Sequence, residues 1–439
     1  MNRTLSAPAH SKASVFVLIT TKIAIGSVLL LYLSFHLWGL GVLKVPVPGL
    51  GVMHLTHWDV AALVIAYFWL VQAMRAPIVI TNAMRVTFAL AVIFFLWVVV
   101  SAVRSPEPFR GATMVGLLLR DLVVLFTVST LTARLQTLDS LNRGVFYIGA
   151  VIAAVATLLY LVNASPDLDA ADPAGKHAFG GIILFVGEFN ALRLVGFAKD
   201  PIYFSLLISV ALFCGLSSVG INRLVLWSGL LLIGVAAMLT FSRMWVLAMP
   251  TVFLSVWLVL WLTHAHSFPT RRVALLLLFV VGLFAIMMVV GLPGADVQSW
   301  VASRIDALAT TPRFARWELL LNQDTNFLLG AGLRSSEIIL GQHSENSYLD
   351  LIFEMGVVGF VVWAALTAYI TSRLVLMAGR RPSITPWLMA WATLFVYFMG
   401  VSFIFHPLYW MVAGLALGQT SADPWAEPRA KPEVESPPS

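Results

Sequence analysis

The sequence predicts an all-α, polytopic integral membrane protein. Three observations carry that expectation. Of the 439 residues 60% are hydrophobic and 11% charged, with a mean hydropathy of +0.91, which describes a chain whose solvent is mostly lipid. Apolar runs of about 20 residues, the length that crosses a bilayer, recur along most of the chain. Arginines gather in alternate loops between those runs.

Taken in order, the runs place about twelve spans, at 18–40, 58–74, 83–103, 113–131, 143–162, 200–219, 222–240, 244–262, 272–291, 347–376, 385–405 and 407–420. The first follows Arg3 and Lys12 and precedes many others, so it reads as an uncleaved signal anchor. The last two flank His406-Pro407 and leave open one kinked span, which would make eleven. With the N-terminus inside, the inner loops hold Arg75, Arg85, Arg134, Arg143, Arg223, Arg271, Arg272, Arg373, Arg380 and Arg381. The outer loops hold Asp167, Asp169 and Asp172 beside scattered bases. This obeys the positive-inside rule and puts 163–199 and 292–346 outside, on the periplasmic face of a bacterial inner membrane. Residues 1–420 form one transmembrane domain, and the Pro- and Glu-rich stretch 421–439 reads as a disordered cytoplasmic tail.

A net charge of +6 and a pI near 9.6 do not point to nucleic acid, because the bases are dispersed over short loops with no compact aromatic-interleaved patch. Cys214 is the lone cysteine, which excludes an intramolecular disulfide and cysteine metal clusters and reads as a small core filler. No internal repeat is evident, which weighs against transporters built from inverted repeats.

The large outer loop between the ninth and tenth spans is more specific. Val297, Trp300, Val301, Ile305 and Leu308 recur at helical spacing, and Thr311-Pro312 restarts a second helix carrying Phe314, Trp317 and Leu320. Both read as amphipathic helices at the membrane surface. Arg313 and Arg316 are three apart and share a helix face, suited either to a diphosphate, through bidentate guanidinium contacts, or to snorkelling toward headgroups. Gly330-Ala-Gly332 reads as a tight turn needing positive φ, with a phosphate cradle as the weaker reading. Arg193 and Arg243 stand at outer span ends, where a charge needs a partner or a wet cavity. The plain alternative for each is an interfacial anchor. Arg120-Asp121 falls inside the fourth span; neighbours on a helix do not face each other, so each needs another partner or a polar cavity, and a structural polar contact is the favoured reading. His264 and His266 lie in an inner loop with no chemistry expected.

The most informative stretch is His343-Ser-Glu-Asn-Ser-Tyr-Leu-Asp-Leu-Ile-Phe-Glu-Met-Gly-Val-Val-Gly359, a dense polar cluster at the mouth of a long apolar helix. Asn346, nine residues, Gly356, two residues, Gly359 resembles the signature of the O-antigen ligase and O-antigen polymerase superfamily of bacterial envelope glycosyltransferases. Arg193-Leu-Val-Gly196 with Pro201 following, and Ser242-Arg243 after an apolar span, look like the arginine motifs of that family. The resemblance covers about 185–376, and the span layout agrees with it elsewhere. It implies glycosyl transfer from a polyprenyl diphosphate-linked glycan, with Arg193, Arg243, Arg316 and Arg313 binding the diphosphate, and Glu345 or His343 as base beside Asn346. Arginines replace a divalent ion in that reading, so no metal and no cofactor are expected. Ligases of the family carry His immediately before the Asn; this chain carries Glu345 there, with His343 two positions earlier. That departure favours a polysaccharide polymerase, of O-antigen or exopolysaccharide, over a ligase acting on a lipid A core or another acceptor. The rival outside the enzymes is a lipid-linked oligosaccharide transporter. Implied partners are the lipid-linked donor, a glycan or lipid A core acceptor, the bilayer and a chain-length regulator.

The orientation is directly testable in a chain whose native cysteine is removed. With Ala331→Cys, a membrane-impermeant thiol reagent should label the protein from the periplasmic side, and with Gly379→Cys it should not. The reverse pattern would invert the topology.

Overall fold

The computed structural model describes residues 10–37, 43–47, 51–75, 77–135, 137–163, 176–179, 182–186, 192–198, 200–263, 312–342, 344–401 and 406–419, with isolated positions at 273, 274, 278 and 282. The described elements run α1 (His10–His36), β1 (Leu43–Val47), β2 (Gly51–Leu55), α2 (His57–Arg75), α3 (Asn82–Val103), α4 (Pro108–Thr132) and α5 (Asp139–Asn163). They continue with β3 (Lys176–Phe179), β4 (Ile182–Val186), β5 (Leu192–Leu194), α6 (Pro201–Ser217), α7 (Arg223–Leu239) and α8 (Arg243–Leu262). The last are α9 (Pro312–Leu321), α10 (Ser335–Leu340), α11 (Ser347–Arg380), α12 (Thr385–Tyr397) and α13 (Pro407–Gln419). The architecture is a helical bundle of membrane type: α2, α3, α4, α5, α8 and α11 are each long and apolar enough to cross a bilayer, and α6, α7 and the Thr20–His36 part of α1 are shorter apolar helices. Most of the expected ninth span and of the expected amphipathic helix at 297–308 lie outside the described residues, as does 421–439; the second amphipathic helix is α9.

Two small antiparallel sheets add to the expected all-helical layout. β1 pairs with β2 between α1 and α2, and β3–β4–β5 lies between α5 and α6, with Phe185 opposite Arg193. Pro48-Gly49 and Gly180-Gly181 stand in the sequence between the paired strands and are dipeptides that favour turns.

The two ends of the bundle are defined by their polar contacts. At the lower end, Trp387 donates to Asn142 (2.8 Å), Asn142 donates to the Ser383 carbonyl (2.8 Å) and Gln419 donates to the Thr132 carbonyl (2.9 Å). The first residues of α12 and the last of α13 therefore share this end. Each of these helices has 13 residues, about 20 Å, against about 30 Å for a bilayer core. The expected spans 385–405 and 407–420 thus become a half-length hairpin that enters from below, its first helix ending at Tyr397 and its second starting at Pro407. Gly414 packs against Leu125 and Val128, and Gly418 against Ser129 and Thr132, so α13 lines only the second half of α4.

The space above that hairpin is filled by a fold in α11. Gly356 has φ 69° and ψ −179° inside the helix, a conformation close to glycine-only. Tyr348 and Trp363 would be about 22 Å apart on a straight helix, yet their rings meet at 5.9 Å, so the helix bends into a V. At the bend the ladder hydrogen bonds are exchanged for bonds to the loop. Ala331 and Gly332 N–H donate to the Phe353 and Glu354 carbonyls (2.8 and 2.9 Å), and Val357 N–H donates to the Phe327 carbonyl (3.0 Å). Gly330 and Gly332 have φ of 74° and 96°, the turn their spacing predicts. Their amides, with Ala331 between them, are spent on protein carbonyls, so this turn is no phosphate cradle. Arg104 at the upper end of α3 donates to the Leu329 and Gly330 carbonyls (2.6 and 2.9 Å). The lower tip of the V's short arm, residues 347–355, rests on the α12–α13 turn: Ser347 N–H donates to the Phe398 carbonyl (2.8 Å) and its hydroxyl to that of Val401 (2.6 Å).

A Cβ at Gly356 would collide with the Leu328 carbonyl and the Gly330 nitrogen. Gly356→Ala should therefore cost about 2 kcal/mol or more, read as a lowered melting temperature in detergent. Gly26→Ala, where nothing lies within 4 Å, should be neutral or slightly stabilising.

Candidate functional site

Four helix N-termini converge beside the tip of the short arm. Asp200 caps α6, accepting from Ile202 N–H at 2.7 Å, and Pro201 follows it at the first helical position, where its missing N–H costs nothing. Ser242 caps α8, accepting from Trp245 N–H at 3.4 Å. Asn346 caps α11, its side-chain carbonyl accepting from Tyr348 and Leu349 N–H at 3.1 Å each. His406 Nδ1 accepts from Leu408 N–H at 3.1 Å at the start of α13. Tyrosines tie these ends together. Tyr397 at the end of α12 is 2.8 Å from the Ser205 hydroxyl and lies close to Ser242, while Tyr203 stacks on His406 at 5.8 Å. Helix N-termini carry partial positive charge, and several aimed at one place favour an anion there.

Charged side chains reinforce that field. Glu345, at φ 60°, turns its carboxylate onto α9, where Oε2 pairs with Arg313 Nε and lies 3.6 Å from an Arg316 nitrogen. Trp317 from the same helix donates to the Ser344 carbonyl (3.0 Å), holding α9 against the mouth of α11. Arg193 donates from Nε to the Thr240 carbonyl (3.0 Å), in the α7–α8 turn that leads into Arg243. Asp200 lies within electrostatic reach of Arg193, Glu345 and Arg313. That shared influence brings Arg193, Asp200, Arg313 and Glu345 into one neighbourhood. Three guanidiniums, of Arg193, Arg313 and Arg316, stand there against two carboxylates.

Of the residues singled out in the sequence, the structure thus unites Arg193, Arg313, Arg316, Glu345 and Asn346. It places the backbone of Arg243 at the same turn. The Arg243 side chain and all of His343 lie outside the described residues. Asn346 spends its side-chain carbonyl on the helix cap. Asp200, Tyr203 and the Ser205–Tyr397 pair carry no site signal in the sequence, although Asp-Pro ahead of an apolar run is a readable helix start.

Arg120 departs from expectation. It does find a distant partner, Asp59 (2.7 Å), but it also binds its neighbour Asp121 (2.8 Å), because a guanidinium at the end of a flexible stem can curl back to a short adjacent carboxylate. No family model matches the chain, and no curated protein matches it; the family resemblance rests on the motif residues.

Proposed function

We propose that the protein is a polysaccharide polymerase that transfers glycan from a polyprenyl diphosphate donor to an acceptor sugar at the periplasmic face of the inner membrane. The observation that carries this reading is the convergence of Arg193, Arg313 and Arg316 with four helix N-termini in the upper half of the bundle. The acceptor hydroxyl oxygen attacks the anomeric carbon, the bond from that carbon to the diphosphate breaks, and the diphosphate leaves with the electron pair. The chemistry demands charge stabilisation for the leaving group, orientation of two bound chains and a base for one proton. Guanidiniums and helix ends supply the first. Glu345 is positioned for the last: a diphosphate competing for Arg313 and Arg316 releases its carboxylate, which then takes the hydroxyl proton, with His343 as the alternative base. A ligase acting on a lipid A core or another acceptor would use the same groups; Glu345 ahead of Asn346 favours the polymerase.

A second reading has an observation of its own. Half-length helices and a bent helix whose N-termini face an anionic group are also how transporters hold anionic substrates, so a lipid-linked oligosaccharide transporter is the alternative outside the enzymes.

Glycans from a deletion strain separate the three. Loss of a polymerase leaves single repeat units, loss of a ligase leaves long polymer on the lipid carrier, and loss of a transporter leaves single units facing the cytoplasm. In the complemented strain Arg193→Ala and Arg243→Ala should each lower polymer by about a hundredfold or more at matched membrane protein levels, with poor rescue by Lys, which lacks the planar fork. Wild-type polymer from both Ala variants would reduce these arginines to interfacial anchors.

A further inference from the structure

We infer that Tyr397, the last residue of α12, is a positioning residue of the anion site: its hydroxyl ties the start of α8 to the first turn of α6 and so fixes the turn that receives Arg193. This rests on the diphosphate reading and adds how the half-length helix takes part in it. Ser205 donates its one hydroxyl proton to the Ile202 carbonyl (2.8 Å). Its contact with the Tyr397 hydroxyl, also 2.8 Å, therefore has Tyr397 as the donor. The Tyr397 oxygen keeps its lone pairs for Ser242, which lies close to it. Ser242 accepts from Trp245 N–H (3.4 Å), so its own proton is available to Tyr397. All three hydroxyl-bearing side chains are buried.

The turn held in this way is strained. Phe241, next to Ser242, is buried and has φ 47°, and a bulky side chain in the left-handed region persists only where its surroundings over-determine the backbone. Here they do so on both sides. Before Phe241, the Thr240 carbonyl accepts from Arg193 Nε (3.0 Å), and the Thr240 hydroxyl donates to the Ala237 carbonyl (2.6 Å) while accepting from Ser242 N–H (3.2 Å). After it, Ser242 is met by Tyr397. Strain of this kind gathers at ligand sites, and this turn carries the partner of Arg193 at one end and begins α8 with Arg243 at the other. If it relaxed, the Thr240 carbonyl would swing away from Arg193. The residue after Tyr397 serves a third helix end, since the Phe398 carbonyl accepts from Ser347 N–H (2.8 Å) at the start of α11. One buried side chain thus spaces the starts of α6 and α8 and stands beside that of α11, and satisfied buried polar contacts are what select a single arrangement.

The test is binding of inorganic pyrophosphate to the full chain in nanodiscs, by isothermal titration calorimetry. Tyr397→Phe, which removes one oxygen and keeps the ring, should weaken binding by about tenfold. Tyr32→Phe is the control for a purely structural loss: it deletes an equally buried tyrosine hydroxyl that also bonds α6, but at the Leu207 carbonyl (2.8 Å) and not in the first turn. It should leave pyrophosphate binding unchanged. In an Arg193→Gln background Tyr397→Phe should have no further effect, because both act through the Thr240 contact. Wild-type binding by Tyr397→Phe, an equal loss in Tyr32→Phe, or losses from Tyr397→Phe and Arg193→Gln that multiply would each overturn the inference. If Tyr397→Phe does not fold, Ser242→Gly removes the other hydroxyl while keeping a serviceable helix start, and is read in the same way. A wild type that binds no pyrophosphate would remove the diphosphate reading itself and this inference with it, an outcome distinct from all of these.

Discussion

The arrangement depends on one exchange of backbone hydrogen bonds at Gly356. A straight helix would carry Asn346 and Glu345 up and away from the bundle. By giving four of its backbone groups, the Phe353 and Glu354 carbonyls and the Val357 and Val358 amides, to residues 327–332, the chain reverses with new partners for groups that the helix no longer pairs. Arg104 then locks the loop from the side of α3. The reversal aims the positive end of the short arm at the turn of the α12–α13 hairpin, and it lets α9 lie close enough for Arg313 and Arg316 to reach Glu345.

Beside the short arm, positive potential comes from fixed peptide dipoles as well as from side chains, and dipoles do not titrate. The Glu345 carboxylate pairs with Arg313 and lies against Arg316, which ties the mouth of α11 to α9.

Composition and spacing revealed the helical membrane character, the positions of most helices, the turn at Gly330 and Gly332 and the face shared by Arg313 and Arg316, because each depends on local periodicity or on a residue type with one conformational use. Hydropathy could not show that α12 and α13 stop half-way, since a half-helix buried in protein is as apolar as a full one in lipid. Nor could it show the V of α11: Gly356 lies in a helical pattern, and only the distant loop that invades there selects its rare φ. The Arg120–Asp59 contact joins α4 to α2 across the bundle, and long-range pairs of that kind leave no mark in spacing.

All 13 residues of α13 are buried, and the helix is shielded by α4, α11 and α12 rather than by lipid. A segment this short cannot hold a transmembrane position on its own, and its neighbours in the finished protein are made before it. The α12–α13 hairpin therefore enters a bundle whose other walls precede it in the chain, and the turn on which the short arm of α11 rests is held in place only once α13 has been made.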